Sequence, residues 1–158
     1  MSNNVTSQVD IALILGPDNI YDIGFDPSGD FTTTQGFDTS LNMTFFVESR
    51  ADASEQSDPI RRSGWVGNEV NNVPNFEVGS KNWLLYQTKK TLDTLNFSQT
   101  YNYNAFQWLV TGGFCDAVNV TSEFTYDGIA VNIDLIINNQ SQQSFSFILW
   151  QNTPSLSS

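Results

Sequence analysis

At 158 residues and a net charge of −11, with only six Lys and Arg, the chain suits one domain with a proper core and is too acidic for a phosphate-backbone or anionic-membrane ligand. The absence of histidine excludes Ser–His and Cys–His nucleophile pairs and removes the commonest metal ligand. One cysteine, Cys115, permits no internal disulfide or Cys-rich metal site and is expected to be a small buried residue, so no metal or cofactor is expected.

The opening M-S-N-N-V-T-S-Q carries no positive region and no apolar run, so no leader is expected. Residues 1–9 and 152–158 read as flexible ends around a single domain, 10–151. Two short apolar runs follow, D-I-A-L-I-L at 10–15 and I-Y-D-I-G-F at 20–25, separated by Gly16-Pro17. Asp26-Pro27-Ser28-Gly29-Asp30 is expected to be a plain turn, since its spacing does not fit a calcium loop.

Residues 37–48 leave two readings open. Phe37, Leu41 and Phe45 fall at helical spacing with Asp38 as a cap, whereas Leu41, Met43, Phe45 and Val47 alternate as in a strand. Residues 49–75 read as a long polar loop carrying Arg61, Arg62 and Trp65, residue types that anchor interfaces. The competing reading has Trp65 folding down on its own domain.

A short helix with Trp83, Leu84 and Leu85 is expected after Ser80, its N-cap. A longer helix, started by Thr91 or Asp93, carries the stripe Phe97, Tyr101, Ala105, Trp108 and Leu109 and stops at Gly112-Gly113. Strict alternation then predicts a three-stranded antiparallel meander. Val118, Val120, Phe124 and Tyr126 lie on the first strand, and Ile129 to Ile137 at every second residue on the next. Asp127-Gly128 forms the hairpin between them. A second turn spans residues 138–141. In the last strand, Phe145, Phe147 and Leu149 alternate, while Ile148 and Trp150 make the other face apolar too. Such a strand at a sheet edge needs a cover. The fold class is therefore α+β: a C-terminal antiparallel meander covered by two or three helices, with short strands before them.

Without histidine, catalysis falls to paired carboxylates. Glu48, Asp52, Glu55, Asp58, Glu69 and Glu77 lie mostly in the polar loop, where a solvated carboxylate has no reason to hold its proton, so no catalytic residue is assigned.

Several segments occur in an order that resembles the Mu-type phage baseplate wedge protein family. G-S-K-N-W-L-L at 79–85, A-F-Q-W-L-V at 105–110, the glycine pair and V-N-V-T-S-E at 118–123 are similar to that family's G-S-R-L-W-L-L, A-L-Q-W-L, glycine turn and V-x-V-T-A-E. Residues 28–31 and 36–37, L-N-M-T-F-F-V-E-S-R-A at 41–51, the Arg62 to Asn68 stretch and the closing 145–151 segment also resemble family stretches in order. The chain departs at Ser63, Val66 and Asn68, where the family has Arg, Trp and an acid.

The resemblance implies an architectural part of a contractile phage tail, related to the lysozyme-like, W-type wedge proteins, and favours a helix over residues 37–48. Its implied place is the virion baseplate, after synthesis in the host cytoplasm. Its implied partners are larger wedge proteins, the tail sheath, and tube or hub proteins, with no nucleic acid and no membrane. Arg61, Arg62, Trp65, Trp83, Phe145, Phe147, Ile148 and Trp150 are the interface residues expected on this reading. A tail-associated muralytic enzyme using Glu48 or Asp52, and a small adaptor of unrelated type, are the competing expectations.

Overall fold

The computed structural model describes residues 9–18, 20–35, 37–70 and 76–150. Of the expected flexible ends, 1–9 and 152–158, residues 1–8 and 152–158 lie outside them, whereas Val9 is held in a strand ladder opposite Gln35.

Residues 9–35 build an arm of short antiparallel ladders. β1 (Val9–Ile11) pairs with β4 (Thr33–Gln35), and β2 (Leu13–Leu15) pairs with β3 (Tyr21–Ile23). The partner changes at Ala12, whose N–H donates to the Thr32 carbonyl at 2.8 Å. Between β3 and β4 the chain runs out and back, with Phe25 bridged to Phe31. The tip is the expected turn: the Asp26 carboxylate accepts the N–H groups of Ser28 and Asp30 at 2.8 and 3.0 Å.

Residues Asp38–Phe46 form helix α1. The helical spacing wins because it puts Phe37, Leu41 and Phe45 together on the core, all 8% exposed or less. Burying a side chain such as Leu41 or Phe45 contributes about 1.5–3 kcal/mol. Phe37, not Asp38, occupies the N-cap position; Asp38 sits in the first turn, where its charge meets the positive end of the helix dipole.

The long polar segment has more order than its composition suggests. A 3₁₀ turn, Pro59–Arg61, is capped by Asp58, which accepts the Ile60 N–H at 3.0 Å, and a single helical turn, α2 (Val66–Glu69), follows. The expected short helix is a 3₁₀ turn, Asn82–Leu85, and Lys81 rather than Ser80 precedes it. The Ser80 hydroxyl still accepts the Asn82 N–H at 3.3 Å, one position further out than expected.

The expected long helix is two helices. α3 (Leu92–Ala105) starts on Thr91, whose hydroxyl accepts the Thr94 N–H at 3.2 Å. It ends at Phe106, and α4 (Gln107–Thr111) continues beyond that fully buried ring. The α4 terminus is a Schellman motif. Gly113 (φ 74°) takes the left-handed conformation, its N–H donates to Val110 O at 3.0 Å, and Phe114 N–H donates to Leu109 O at 2.9 Å. The predicted stripe also needs correction. Phe97 is 53% exposed, while the buried positions of α3 are Thr94, Ser98 and Asn102.

β5 (Ala117–Phe124), β6 (Gly128–Ile137) and β7 (Gln140–Trp150) form the meander in the order β5-β6-β7. The first turn centres on Tyr126-Asp127, not Asp127-Gly128. Thr125 N–H donates to Gly128 O at 2.9 Å, so Gly128 already belongs to the strand and Tyr126 stands exposed. Asn138 and Asn139, both with positive φ, make the second turn as a type I′ pair matched to the strand twist. Val118, Ile129, Val131, Ile133, Leu135, Ile137 and Leu149 point to one buried face, covered by α1, α3 and α4. Cys115 is buried where α4 hands over to the sheet, and burial, then the neighbouring Asp116 charge, push its thiol upward. No described helix is long and apolar enough to cross a membrane.

Candidate partner-docking surfaces

Three surfaces emerge from this frame. The first is the loop after α1. Two close crossings tie it down at the α1 terminus. Ser80 N–H donates to Val47 O at 2.9 Å and Ser49 N–H to Ser80 O at 3.0 Å, so Glu48 and Ser80 form a parallel bridge. Below it the Ser80 hydroxyl donates to Phe45 O at 2.8 Å. Asn82 and Asn102, each 2% exposed or less, exchange reciprocal amide hydrogen bonds at 2.9 and 3.0 Å.

Outside this knot lies the ionic part of the loop. Lys81 Nζ reaches Asp52 and Glu55, each at 2.7 Å. Burial alone would lower the Lys81 pKa, but its hydrogen bonds to the two carboxylates outweigh that and raise it. The Lys81 hydrogen bond and charge hold Asp52 below the ordinary carboxyl range. A general acid needs the reverse, so Asp52 is a poor proton donor. Glu48 is engaged by the Ser63 hydroxyl.

Asp52 is depressed, so its contribution is present above the ordinary value of 3.8 and is lost as pH falls through the lower folded value. Lys81 is raised, so its part is present below 10.5 and is lost as pH climbs through the higher folded value. Lys81→Met is therefore expected to lower the melting temperature at neutral pH, with the deficit shrinking in acid and in high salt. Thermal melts across pH check this.

The expected interface residues divide between two places. On the loop, Arg61 is exposed and pairs with Asp58 at 3.5 Å. Arg62 turns inward to its own loop, donating to Gln56 O at 2.9 Å and Ser57 O at 3.3 Å. Trp65, 41% exposed, lies over Gly67 so closely that a Cβ there would meet its ring at 2.2 Å. Trp83 is half-buried and donates its indole N–H to Ser49 O at 2.9 Å, fastening the loop to the body.

The other place is β7, the second surface. Phe145 and Phe147 face inward against the core, and Phe147 stacks on Phe45 at 4.4 Å. Ile148 points outward, 42% exposed. Trp150 pairs with Gly128 through its backbone, and its side chain lies outside the described residues. β7 pairs only with β6 among the described residues, which leaves an eleven-residue strand as a sheet edge.

The third surface was not among the expected interface residues. The arm exposes Leu13, Ile14, Leu15, Ile20, Phe25 and Phe31, from 38% to 64%. Its sequence signal is the pair of apolar runs with few polar alternations, which reads as core until the ladders prove too thin to be covered.

The same core elements carry the family match. The model of the family described as "Phage protein GP46" matches residues 37–143, from the residue before α1 into β7. The chain belongs to the phage protein GP46 family. "Baseplate protein gp46" of Escherichia phage Mu is 34% identical over 102 residues, covering 63% of this chain and 68% of that one. "Mu-like prophage FluMu protein gp46" of Haemophilus influenzae (strain ATCC 51907 / DSM 11121 / KW20 / Rd) is 39% identical over 57 residues, covering 36% of this chain and 41% of that one. In this GP46-family chain the α1-to-sheet body lies inside the matched span, while the arm and the apolar end of β7 lie outside it.

Proposed function

We propose that the chain is a structural subunit of a contractile phage tail baseplate, located in the virion. On this reading it is an inner wedge component that binds larger wedge proteins and offers its sheet for sheath attachment and the start of sheath assembly. The observation that carries it is the edge strand β7. Along its eleven residues the backbone groups of alternate residues point away from β6 with no partner strand among the described residues, and Ile148 lies exposed beside a strand whose other face is already buried. A long, apolar, uncovered edge is a template for a partner strand, and β-augmentation is how such an edge is ordinarily satisfied. The baseplate name of the phage Mu relative supports the same reading. The Arg61, Arg62 and Trp65 loop, fastened by Trp83, then faces a neighbouring wedge chain or a tube or hub protein.

The test is assembly in cells producing the particle. The wild-type chain should co-purify with wedge and sheath proteins. Ile148→Lys should leave a folded monomer but reduce sheathed tails about tenfold, the loss of one interface anchor. Normal tails formed without this chain would refute the reading. Unchanged wedge assembly in Trp65→Ala and Arg62→Ala would make the loop structural only. Clearing of peptidoglycan by the purified chain, lost in Glu48→Gln, would favour the muralytic alternative instead.

A further inference from the structure

Between the arm and α1 runs a groove of ≈ 520 Å³. One wall is the arm, with Ala12, Leu13 and Thr34; the other is α1, with Asn42, Met43 and Phe46. The α1 wall is a helical ridge at i, i+1 and i+4, and Phe46 is 51% exposed on it. This is the face of α1 that Leu41 and Phe45 do not use. A ridge of this kind beside an open groove is the surface against which a second helix packs.

Charge narrows the occupant. The first 49 residues contain seven acidic residues and no Lys or Arg, because all six basic residues fall between Arg50 and Lys90. Asp38 lies on the groove itself. A second copy, itself at net charge −11, would be repelled, as would an anionic lipid or a nucleic acid. Neither chain end supplies a match, since M-S-N-N-V-T-S-Q and Q-N-T-P-S-L-S-S contain no basic residue. We infer that the groove between the arm and α1 docks a cationic amphipathic helix of a partner protein, apolar residues entering against Leu13, Met43 and Phe46 and a Lys or Arg facing Asp38. This docking is separate from the β7 edge and stands or falls without the sheath reading.

The probe is a fluorescein-labelled Leu/Lys amphipathic peptide of about 18 residues, long enough for five helical turns, with a Leu/Glu counterpart as control. Both are titrated into the full ¹⁵N-labelled chain. The Leu/Lys peptide is expected to bind, with shift changes centred on Leu13, Thr34, Asn42, Met43 and Phe46. Leu13→Ser and Phe46→Ser, each shown folded by its melt, should weaken it about tenfold. Three results overturn the inference: no binding, shifts centred away from the groove, or affinity unchanged in both variants. A wild-type dimer in sedimentation that Phe46→Ser dissociates also overturns it, by giving the groove to a second copy. None of these outcomes bears on co-purification with baseplate proteins, which tests the proposed function separately.

Discussion

Gly79→Ala is expected to destabilise the protein by about 3 kcal/mol or more, the combined cost of a forbidden backbone region and a backbone collision. Gly79 has φ 109°, which L side chains rarely adopt. A Cβ there would lie 2.5 Å from Val47 O and 2.9 Å from Val47 C. Neither atom can rotate away, because Val47 O accepts the Ser80 N–H in the crossing that pins the loop to the α1 terminus. At this chain length such a loss lowers the melting temperature by roughly 6–12 °C. Differential scanning calorimetry of the variant checks it. A change within about 1 °C would mean that the crossing relaxes freely and does not organise the loop. Gly113→Ala is the internal contrast: it shares a positive φ, but nothing lies within 4 Å of its would-be Cβ. Its loss should be smaller, which separates collision from conformational strain.

The same region shows how far the residues alone can be read. The meander was legible because every second residue of β6 is apolar and only one face of the sheet is covered, so period and burial coincide. The helix over Asp38–Phe46 was not decided by periodicity, since Phe37, Leu41 and Phe45 fit the helical period while Leu41, Met43, Phe45 and Val47 fit the strand period. The α3 face was legible only in part. Tyr101 and Ala105 pack against the core as the stripe predicts, but Phe97 is exposed and the most buried positions are polar: Thr94, Ser98 and Asn102. Each of these finds a partner: Thr94 donates to Lys89 O at 2.6 Å, Ser98 meets the Ser122 hydroxyl at 3.1 Å, and Asn102 meets Asn82. Patterns that equate polar with exposed cannot anticipate such partners, which for Ser98 and Asn102 arrive from 24 and 20 residues away. The candidate docking surfaces divide in the same way. Arg61, Trp65 and the β7 edge are visible as residue types, whereas the arm groove exists only once two separated segments meet.

Asn102→Ala is expected to cost about 3 kcal/mol, the sum of a stranded buried amide and a small cavity. The Asn82 side-chain oxygen would lose the donor that reaches it at 2.9 Å. Its amide nitrogen would keep only Phe45 O, at 3.3 Å. Asn82→Ala should cost a similar amount, and the double alanine variant clearly less than the sum, because the second removal strands nothing new. A coupling of about 1–2 kcal/mol in that cycle would identify the pair as one unit. Replacing both residues by leucine sharpens the test. The volumes are similar, Phe45 O still accepts from Ser80 at 2.8 Å, and no buried amide is left half-paired. The double leucine variant should therefore recover most of the stability lost in Asn102→Leu alone, since removing both partners is cheaper than removing one. If it unfolds further, the amides are holding α1, the Asn82–Leu85 turn and α3 in register by direction as well as volume. The loop bearing Arg61 and Trp65 would then lose its seat before the sheet loses its core, and amide exchange in residues 49–64 would rise first.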